Sequence, residues 1–507
     1  MKKSIQTTLL LLLLIVESGF AQVNLKKIDK YLSQMQEDWN VPGMTVGIVK
    51  NGELVFSKGY GQKEAGKYEA PDGNTLYAVA SNSKAFTSAA IALLVQQGQL
   101  GWDDKVIDHL PYFQLYNDYV TQNTTIRDLL SHRVGLGTFS GDVIWYRSDL
   151  TAEEVVKRIK HLSPAYNFRA GYGYSNVMYV TAGEVIKAVS GQTWSAFIKE
   201  NFLDMLGMNR SITSIKQLET TDNYATPHAL IDGENVPIEW TNWDAVAPTG
   251  GLISSINDMA AWVIFNLNNG VWQGDTILSQ SSRNLVWTPH NNYRVDHTDD
   301  DFATHFRAYG LGWVLADYHG RLRVGHSGGY DGMITYVQMI PDEDLGVIVL
   351  TNGMKSPIVA AANYIIDAYL NLPEKDYSTQ MLERWEKRNK QDTRIAKRKE
   401  ARVKNTEPSL PLEAYTGTYY EDIYGNITIS KAGDDLHISF EHTPDFEATL
   451  THWHYDIWQI RWKKPLAWFS FGTVKFHLDH KLEVESLSFD VPNDDIWFYE
   501  MKPKKVP

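Results

Sequence analysis

The sequence predicts a mixed α/β protein in two parts: a large region built on one sheet with helices, then a smaller all-β domain. Three observations carry this. The 507-residue chain is longer than one hydrophobic core usually grows, so more than one domain is expected. Residues 22–372 mix strand and helix patterns, with strands at both ends and helices between. Residues 412–507 hold short strand-length runs, evenly spaced and separated by turn residues, as in a small barrel or sandwich.

The elements follow in chain order. Residues 1–21 read as an export signal. Met1-Lys2-Lys3 is a basic start, residues 9–16 are an apolar run, and Gly19 and Ala21 are placed for cleavage before Gln22. The run is too short to cross a bilayer, which takes ~20 residues, and no later stretch is long enough. The expected location is therefore periplasmic or secreted. Residues 45–49 and 54–57 flank Asn51-Gly52, a strong hairpin signal. An Ala-, Leu- and Ile-rich helix follows Ser81 and stops at Gly98. Thr125-Ile126-Arg127-Asp128 and Ser255-Ile256-Asn257-Asp258 have the spacing of capping boxes. Residues 334–340 and 346–350 alternate as strands, and a helix pattern at 358–370 closes the region. Strands at both ends predict a sheet whose outer strands come from distant parts of the chain.

Residues 373–411 read as a charged linker or solvated helix. Its stretch 380–404 holds ten Lys/Arg and four acidic residues, and Pro408 and Pro411 mark its end. In the β-domain, runs at 415–420, 426–430, 436–440, 458–462, 467–471, 475–478 and 483–489 have strand length. The proline punctuation predicts that this domain folds separately from residues 22–372.

Composition narrows the chemistry. Apolar residues are 43% and charged residues 21%, which is globular. A net charge of −13 repels phosphate backbones, so nucleic acid is not an expected partner and 380–404 is not read as a nucleic-acid arm. The chain has no Cys, which excludes a disulfide framework, a Cys nucleophile, cysteine-held zinc and iron–sulfur clusters. Ser, Thr, Lys, Tyr, His and carboxylates remain.

Three motifs bring such groups together. Ser81-Asn82-Ser83-Lys84 starts the Ala-rich helix, and residues three apart share one face of a helical turn. The free N–H groups and dipole of a helix start favour negative charge, which suits a serine whose substrate develops an oxyanion. A lysine one turn on accepts the serine proton if burial or another cation lowers its pKa. Alone, this tetrapeptide is more often a capping serine followed by a surface lysine. Tyr174-Ser175-Asn176 follows Gly171 and Gly173. A tyrosine between two cations would shift towards phenolate and serve as a base, and the asparagine can bond a substrate amide. The bland alternative is a tyrosine-rich loop on the core. Gly325-His326-Ser327-Gly328-Gly329 follows a strand-like run, and glycines there let a substrate lie against the strand edge. A simple glycine bulge is the competing explanation.

The three motifs, in this order, resemble the penicillin-recognising serine hydrolases: class C β-lactamases, DD-carboxypeptidases, related esterases and D-aminopeptidases. The resemblance covers most of residues 40–370. It extends to Val41-Pro42-Gly43, Leu129-Leu130-Ser131-His132, Gly250-Gly251-Leu252 and Tyr309-Gly310-Leu311-Gly312-Trp313. It implies an antiparallel sheet flanked by helices with a helical subdomain. It also implies Ser81 as the acylated nucleophile, Lys84 and Tyr174 sharing proton transfer, and Asn176, His326 and Gly328 beside the substrate. The backbone N–H groups of Ser81 and Gly329 would form the oxyanion hole. No metal or cofactor is implied. Residues 412–507 are similar to the lipocalin-like β-domain that often follows these hydrolases. The expected function is an exported serine hydrolase acting on an ester or amide bond of a small molecule or peptide, cell-wall peptides included. A true β-lactamase and a non-catalytic scaffold that keeps the fold are the alternatives.

The sequence departs from the group's pattern at Arg169-Ala170-Gly171, at Met205 and at His326. The first two are framework positions. His326 stands where a lysine would carry a fixed charge for a substrate carboxylate. An imidazole near its ordinary pKa of ~6.5 is mostly neutral at pH 7.5 and charges on acidification. Uncharged esters or peptide ends are therefore expected to outperform penicillins. His452 and His454 share a strand face without a third metal ligand, and Asp299-Asp300-Asp301 lacks the spacing of a calcium loop.

Overall fold

The computed structural model describes residues 23–295 and 304–507. The expected export signal and Asp299-Asp300-Asp301 lie outside the described residues. The larger part is an eight-stranded antiparallel sheet. Its order across the sheet is Glu53–Gly61, Gly43–Lys50, Leu345–Thr351, Met333–Ile340, Arg321–Tyr330, Val314–Tyr318, Arg307–Tyr309, Asn291–Asn292. Asn51 and Gly52 both have positive φ, 52° and 76°, as the two-residue hairpin turn requires. The late strand Leu345–Thr351 is not an edge. It pairs with the N-terminal strand on one side and with Met333–Ile340 on the other, and all seven of its residues are buried. The chain's two ends are thus sewn together in mid-sheet, and only the N-terminal hairpin forms an outer edge as expected.

Helices cover both faces. Leu25–Asp38 and Ile358–Tyr369 close one side with a core that includes Leu32, Met35, Val46, Val349 and Ile365. Ile256–Leu267 and the helical subdomain close the other, where Ser83–Gln96 packs against Asn176–Ser190. Thr125 opens the helix Ile126–Leu130 with both bonds of a capping box. At Ser255 only half of the expected box forms. Ser255 accepts from the Asp258 N–H, but the Asp258 carboxylate is occupied by the Arg210 and Ser211 N–H groups and the Ser211 hydroxyl.

The charged segment forms two helices, Tyr377–Gln391 and Arg394–Glu400, and is more than a solvated linker. Tyr377 and Ser378 are buried against the sheet domain, where Trp39 donates to Ser378 Oγ at 3.2 Å. Further on, Arg394 pairs with Asp494 and Arg398 with Asp490. The segment straps the two parts together.

Residues Gly417–Lys505 close into an eight-stranded barrel. Inward side chains including Ile429, Phe440, Leu450, Trp458 and Phe476 fill it. The longest strand, Thr443–His454, has no counterpart among the expected runs, because its polar residues interrupt the apolar ones. Conversely, 467–471 is irregular rather than a strand. Phe469 and Phe471 are buried there while Trp468 turns towards the sheet domain. His452 and His454 are each held by backbone groups, Tyr455 O and the Val403 N–H.

The barrel does not stand apart. One continuous apolar cluster runs from Phe86 and Trp145 into Phe446, Phe469 and Phe498 of the barrel. Tyr146 packs edge-on to Phe446 and Phe469. Glu500 accepts from Ser140 Oγ at 2.6 Å and from the Gly141 N–H at 2.9 Å. The expected separately folding β-domain thus shares an apolar core with the sheet domain: proline marks where the chain turns, not where the core ends.

Candidate active site

The first motif occupies a short 3-10 turn, Ala80–Asn82, that runs into the helix Ser83–Gln96. Ala80 sits at φ 49°, a left-handed conformation that costs a non-glycine residue on the order of 1–3 kcal/mol. A buried polar knot holds it. Asn82 Nδ2 donates to Val79 O at 3.0 Å and to Thr335 Oγ1 at 3.1 Å, and Thr335 Oγ1 donates to Val79 O at 3.0 Å. Ser81 is thereby projected from the turn into a cavity while the helix start lies behind it.

Lys84 is fully buried. Its Nζ lies 3.2 Å from Ser81 Oγ, 2.7 Å from Asn176 Oδ1 and 2.8 Å from Thr249 O. Burial pushes its pKa well down, opposed by the Asp142 carboxyl. A neutral amine has two N–H bonds and one lone pair. Asn176 Oδ1 and Thr249 O are pure acceptors and take the two N–H bonds. The lone pair is then left for the Ser81 hydroxyl proton, which is the arrangement of a poised base.

Tyr174 is hydrogen-bonded to Ser81, and its ring lies 4.8 Å from Lys84 Nζ. Burial pushes its pKa well up, and the Ser81 bond only partly offsets this. The shift is opposite to the one expected from the sequence. The lysine lies over the ring face, and burial disfavours the charged form of both groups, which outweighs any pull of the phenol towards phenolate. Tyr174 is a protonated hydroxyl able to donate and pass on a proton.

Asn176 opens the helix Asn176–Ser190. Its Oδ1 accepts from Lys84 and from Thr249 Oγ1 at 2.7 Å, and its Nδ2 donates to Asp142 Oδ2 at 2.6 Å. It ties the lysine to Asp142 and keeps one N–H for a ligand. Asp142, also held by Trp145 Nε1 at 2.9 Å, is a site residue the sequence reading missed. Burial raises its pKa well above the usual carboxylate range.

The third motif lies on the strand Arg321–Tyr330. Its neighbour Val314–Tyr318 pairs only as far as Gly325, so among the described residues no strand pairs with 326–330 on that side. Ser327 and Gly329 face the cavity there. Gly328 does not. A Cβ on it would lie 2.4 Å from Val79 O and 2.6 Å from Thr335 Oγ1, so it packs against the turn behind Ser81, whereas the sequence reading set it beside the substrate.

His326 is buried and neutral. Its Nδ1–H donates to Ser327 O at 2.5 Å and its Nε2 accepts from Tyr309 Oη at 3.0 Å. Burial, the largest cause, lowers its pKa to about 3. The expected protonation near pH 6 therefore does not occur. A fixed positive charge reaches the cavity from elsewhere, because Arg307 lines it from the strand Arg307–Tyr309, two places along the sheet.

The cavity has a volume of about 340 Å³. Tyr172, Tyr293 and Arg307 line it beside Tyr174, with Arg307 5.5 Å from the Tyr293 ring. Trp145, Tyr146 and Trp243 line it beside Asp142, and the barrel adds Trp468, Asp495 and Ile496. No spacing in the sequence links these residues, which come from distant parts of the chain. Among the described residues no group of three or more His, Asp or Glu could hold a metal ion, and no helix is long and apolar enough to cross a membrane.

Comparison with known proteins gives consistent matches. Residues 28–371 match the family model described as Beta-lactamase, and residues 401–502 match a domain of unknown function, DUF3471. An unguisins hydrolase of Aspergillus campestris is 29% identical over 446 residues, 82% of this chain and 78% of that protein. The flp protein of Staphylococcus aureus strain N315 is 28% identical over 372 residues, 70% and 68% of the two chains. An octameric penicillin-binding protein homologue from Pyrococcus abyssi superposes with a TM-score of 0.61 at 21% identity, covering 95% of this chain and all of that one. SurE superposes with a TM-score of 0.54 at 17% identity, covering 95% and 99%.

Proposed function

The chain belongs to the beta-lactamase family and is a hydrolase, and from that premise we propose that it is an exported serine hydrolase cleaving ester or amide bonds through an acyl-Ser81 intermediate. The observation that carries this is the buried Lys84 amine 3.2 Å from Ser81 Oγ, with its two N–H bonds already engaged.

Lys84 Nζ takes the Ser81 proton as Oγ bonds to the carbonyl carbon. The oxyanion that forms is held by the N–H groups of Ser81 and Gly329, each such donor typically contributing ~2.7–4 kcal/mol. As the carbon–oxygen or carbon–nitrogen bond breaks, the leaving atom receives a proton from Lys84 by way of the Tyr174 hydroxyl. Water then attacks the acyl carbon, gives its proton to the same pair, and Ser81 recovers its hydrogen as the acid departs. The leaving group lies on the Tyr174 side, since its proton arrives there, and the acyl part lies on the Asn176 side.

A β-lactamase is the second reading, favoured by Arg307, which offers a substrate carboxylate the fixed charge that His326 lacks. The test is intact mass after exposure to a fluorophosphonate and, separately, to a penicillin. The proposal expects one fluorophosphonate adduct on the peptide carrying Ser81 and none in Ser81→Ala. A label on Ser83 or Ser327, or activity kept in Ser81→Ala, contradicts it. A penicillin adduct that forms and turns over favours the second reading.

A further inference from the structure

The barrel's contribution to the cavity is not explained by bond cleavage. The loop after the last long barrel strand, Val484–Asp490, brings Asp495 and Ile496 to the cavity wall. That loop is built rather than loose. Asn493 Oδ1 accepts from the Asp495 and Ile496 N–H groups at 3.0 and 2.6 Å, and its Nδ2 donates to Val491 O and Ile496 O. Arg394 of the strap fixes the loop from outside through Asp494 and Asn493 O. Asp494 is thus paired. The Asp495 carboxylate makes no hydrogen bond and no ion pair among the described residues.

Its surroundings are aromatic. Trp145, Tyr146 and Trp243 line the cavity from the sheet domain, with the Trp145 and Trp243 rings 5.0 Å apart. Trp468 completes this wall from the barrel, its ring tip 3.1 Å from where a Cβ on Gly329 would stand. The cation of the cavity, Arg307, lies against Tyr293 on the leaving-group side. The Asp142 carboxyl feels the Asp495 charge, and Asp142 is already held by Asn176 and Trp145. A carboxylate without a partner, set among indole and phenol faces, suits an organic cation. Burial and the Asp494 charge hold Asp495 at about 6, so it is ionised near neutral pH.

Resting on the serine-hydrolase reading, we propose that Asp495 and the aromatic wall around it form a specificity subsite for a protonated amine carried on the acyl part of the substrate. The barrel domain would then be what tells ammonium-bearing acyl groups from neutral ones of the same size.

The experiment compares the p-nitroanilides of β-alanine and 4-aminobutyric acid with those of the methyl-for-ammonium isosteres, butyric and valeric acid, using the full-length protein. The wild type is expected to favour the ammonium substrates. Asp495→Asn is expected to lower kcat/KM for them about 10–100-fold, the loss of one charge-assisted bond. The neutral isosteres should stay within about threefold, and Asp495→Glu should restore part of the preference. Equal rates on both sets in the wild type, or equal losses on both in Asp495→Asn, overturn the subsite. A readout without turnover is the rate of fluorophosphonate labelling of Ser81. It should be slowed by 4-aminobutanamide and not by pentanamide, and no difference between the two overturns the proposal. Labelling of Ser81 without amine preference removes the subsite alone, whereas absence of labelling removes the reading it rests on.

Discussion

Gly328→Ala tests how the nucleophile is held. The added Cβ would stand 2.4 Å from Val79 O, 2.6 Å from Thr335 Oγ1 and 3.0 Å from Ala80 Cβ. Ordinary contact begins near 3.4 Å, so the first overlap is about 1 Å. None of the three is the far end of a flexible chain. Val79 O is backbone, and Thr335 Oγ1 is fixed by its bonds to Val79 and Asn82. Relief requires the Val79–Ala80 turn to leave the strand by most of that overlap, carrying Ser81 away from Gly329. Overpacking of this kind costs about 1–3 kcal/mol of stability, and a displacement near 1 Å costs ~100-fold in rate. The assay is kcat/KM for p-nitrophenyl acetate beside urea denaturation. The expected result is a folded protein with a loss on the order of 100-fold. A Gly328→Ala protein as active as the wild type would refute the view that strand and turn are locked together.

Lys84→Ala and Tyr174→Phe should each lower kcat/KM by several orders of magnitude, and the double variant should be little worse, because both serve one proton path; additive losses in steady-state kinetics would separate their roles. His326 is held neutral at about 3 in the fold and titrates near 6.5 when unfolded, so the unfolded chain takes the proton first and stability falls as pH drops between those values. From pH 7.5 to pH 5 the wild type should lose about 2 kcal/mol more than His326→Gln in urea titrations, and a wild type that gains stability on acidification relative to that variant would contradict the assignment. For the same reason the nitrocefin to p-nitrophenyl acetate ratio of kcat/KM should be flat between pH 5.5 and 8.5, and a rise towards pH 6 would show a protonated His326. A chain cut after Lys375 should aggregate or lose its thermal transition, because it exposes the face of Tyr146 that packs on Phe446 and Phe469; a soluble, active fragment would show that the core is divisible.

Local signals in the sequence pointed to Ser81, Lys84, Tyr174, Asn176 and the His326–Gly329 strand, because each sits in a short motif whose order is informative, and the fold brings them together. The same was true of the Asn51-Gly52 hairpin and the capping box at Thr125. What spacing does not carry is burial. The direction of the Tyr174 shift and the depth of the His326 shift depend on walls supplied by distant segments. Residues that converge only through topology were equally invisible. Asp142 reaches Asn176 from a separate short helix, Arg307 comes from a strand two places along the sheet, and Trp468 and Asp495 arrive from the barrel. The irregular stretch at 467–471 read as a strand because its apolar residues fill two different surfaces, the barrel core and the cavity wall.

The most direct test of the central claim is a rapid-quench measurement with p-nitrophenyl acetate. The account predicts a burst of p-nitrophenol stoichiometric with enzyme and, in the quenched protein, one acetyl group on the peptide that carries Ser81. The burst should be abolished in Lys84→Ala. Turnover of the ester by a protein that shows neither burst nor acyl peptide, or an acetyl group found on another residue, would contradict it.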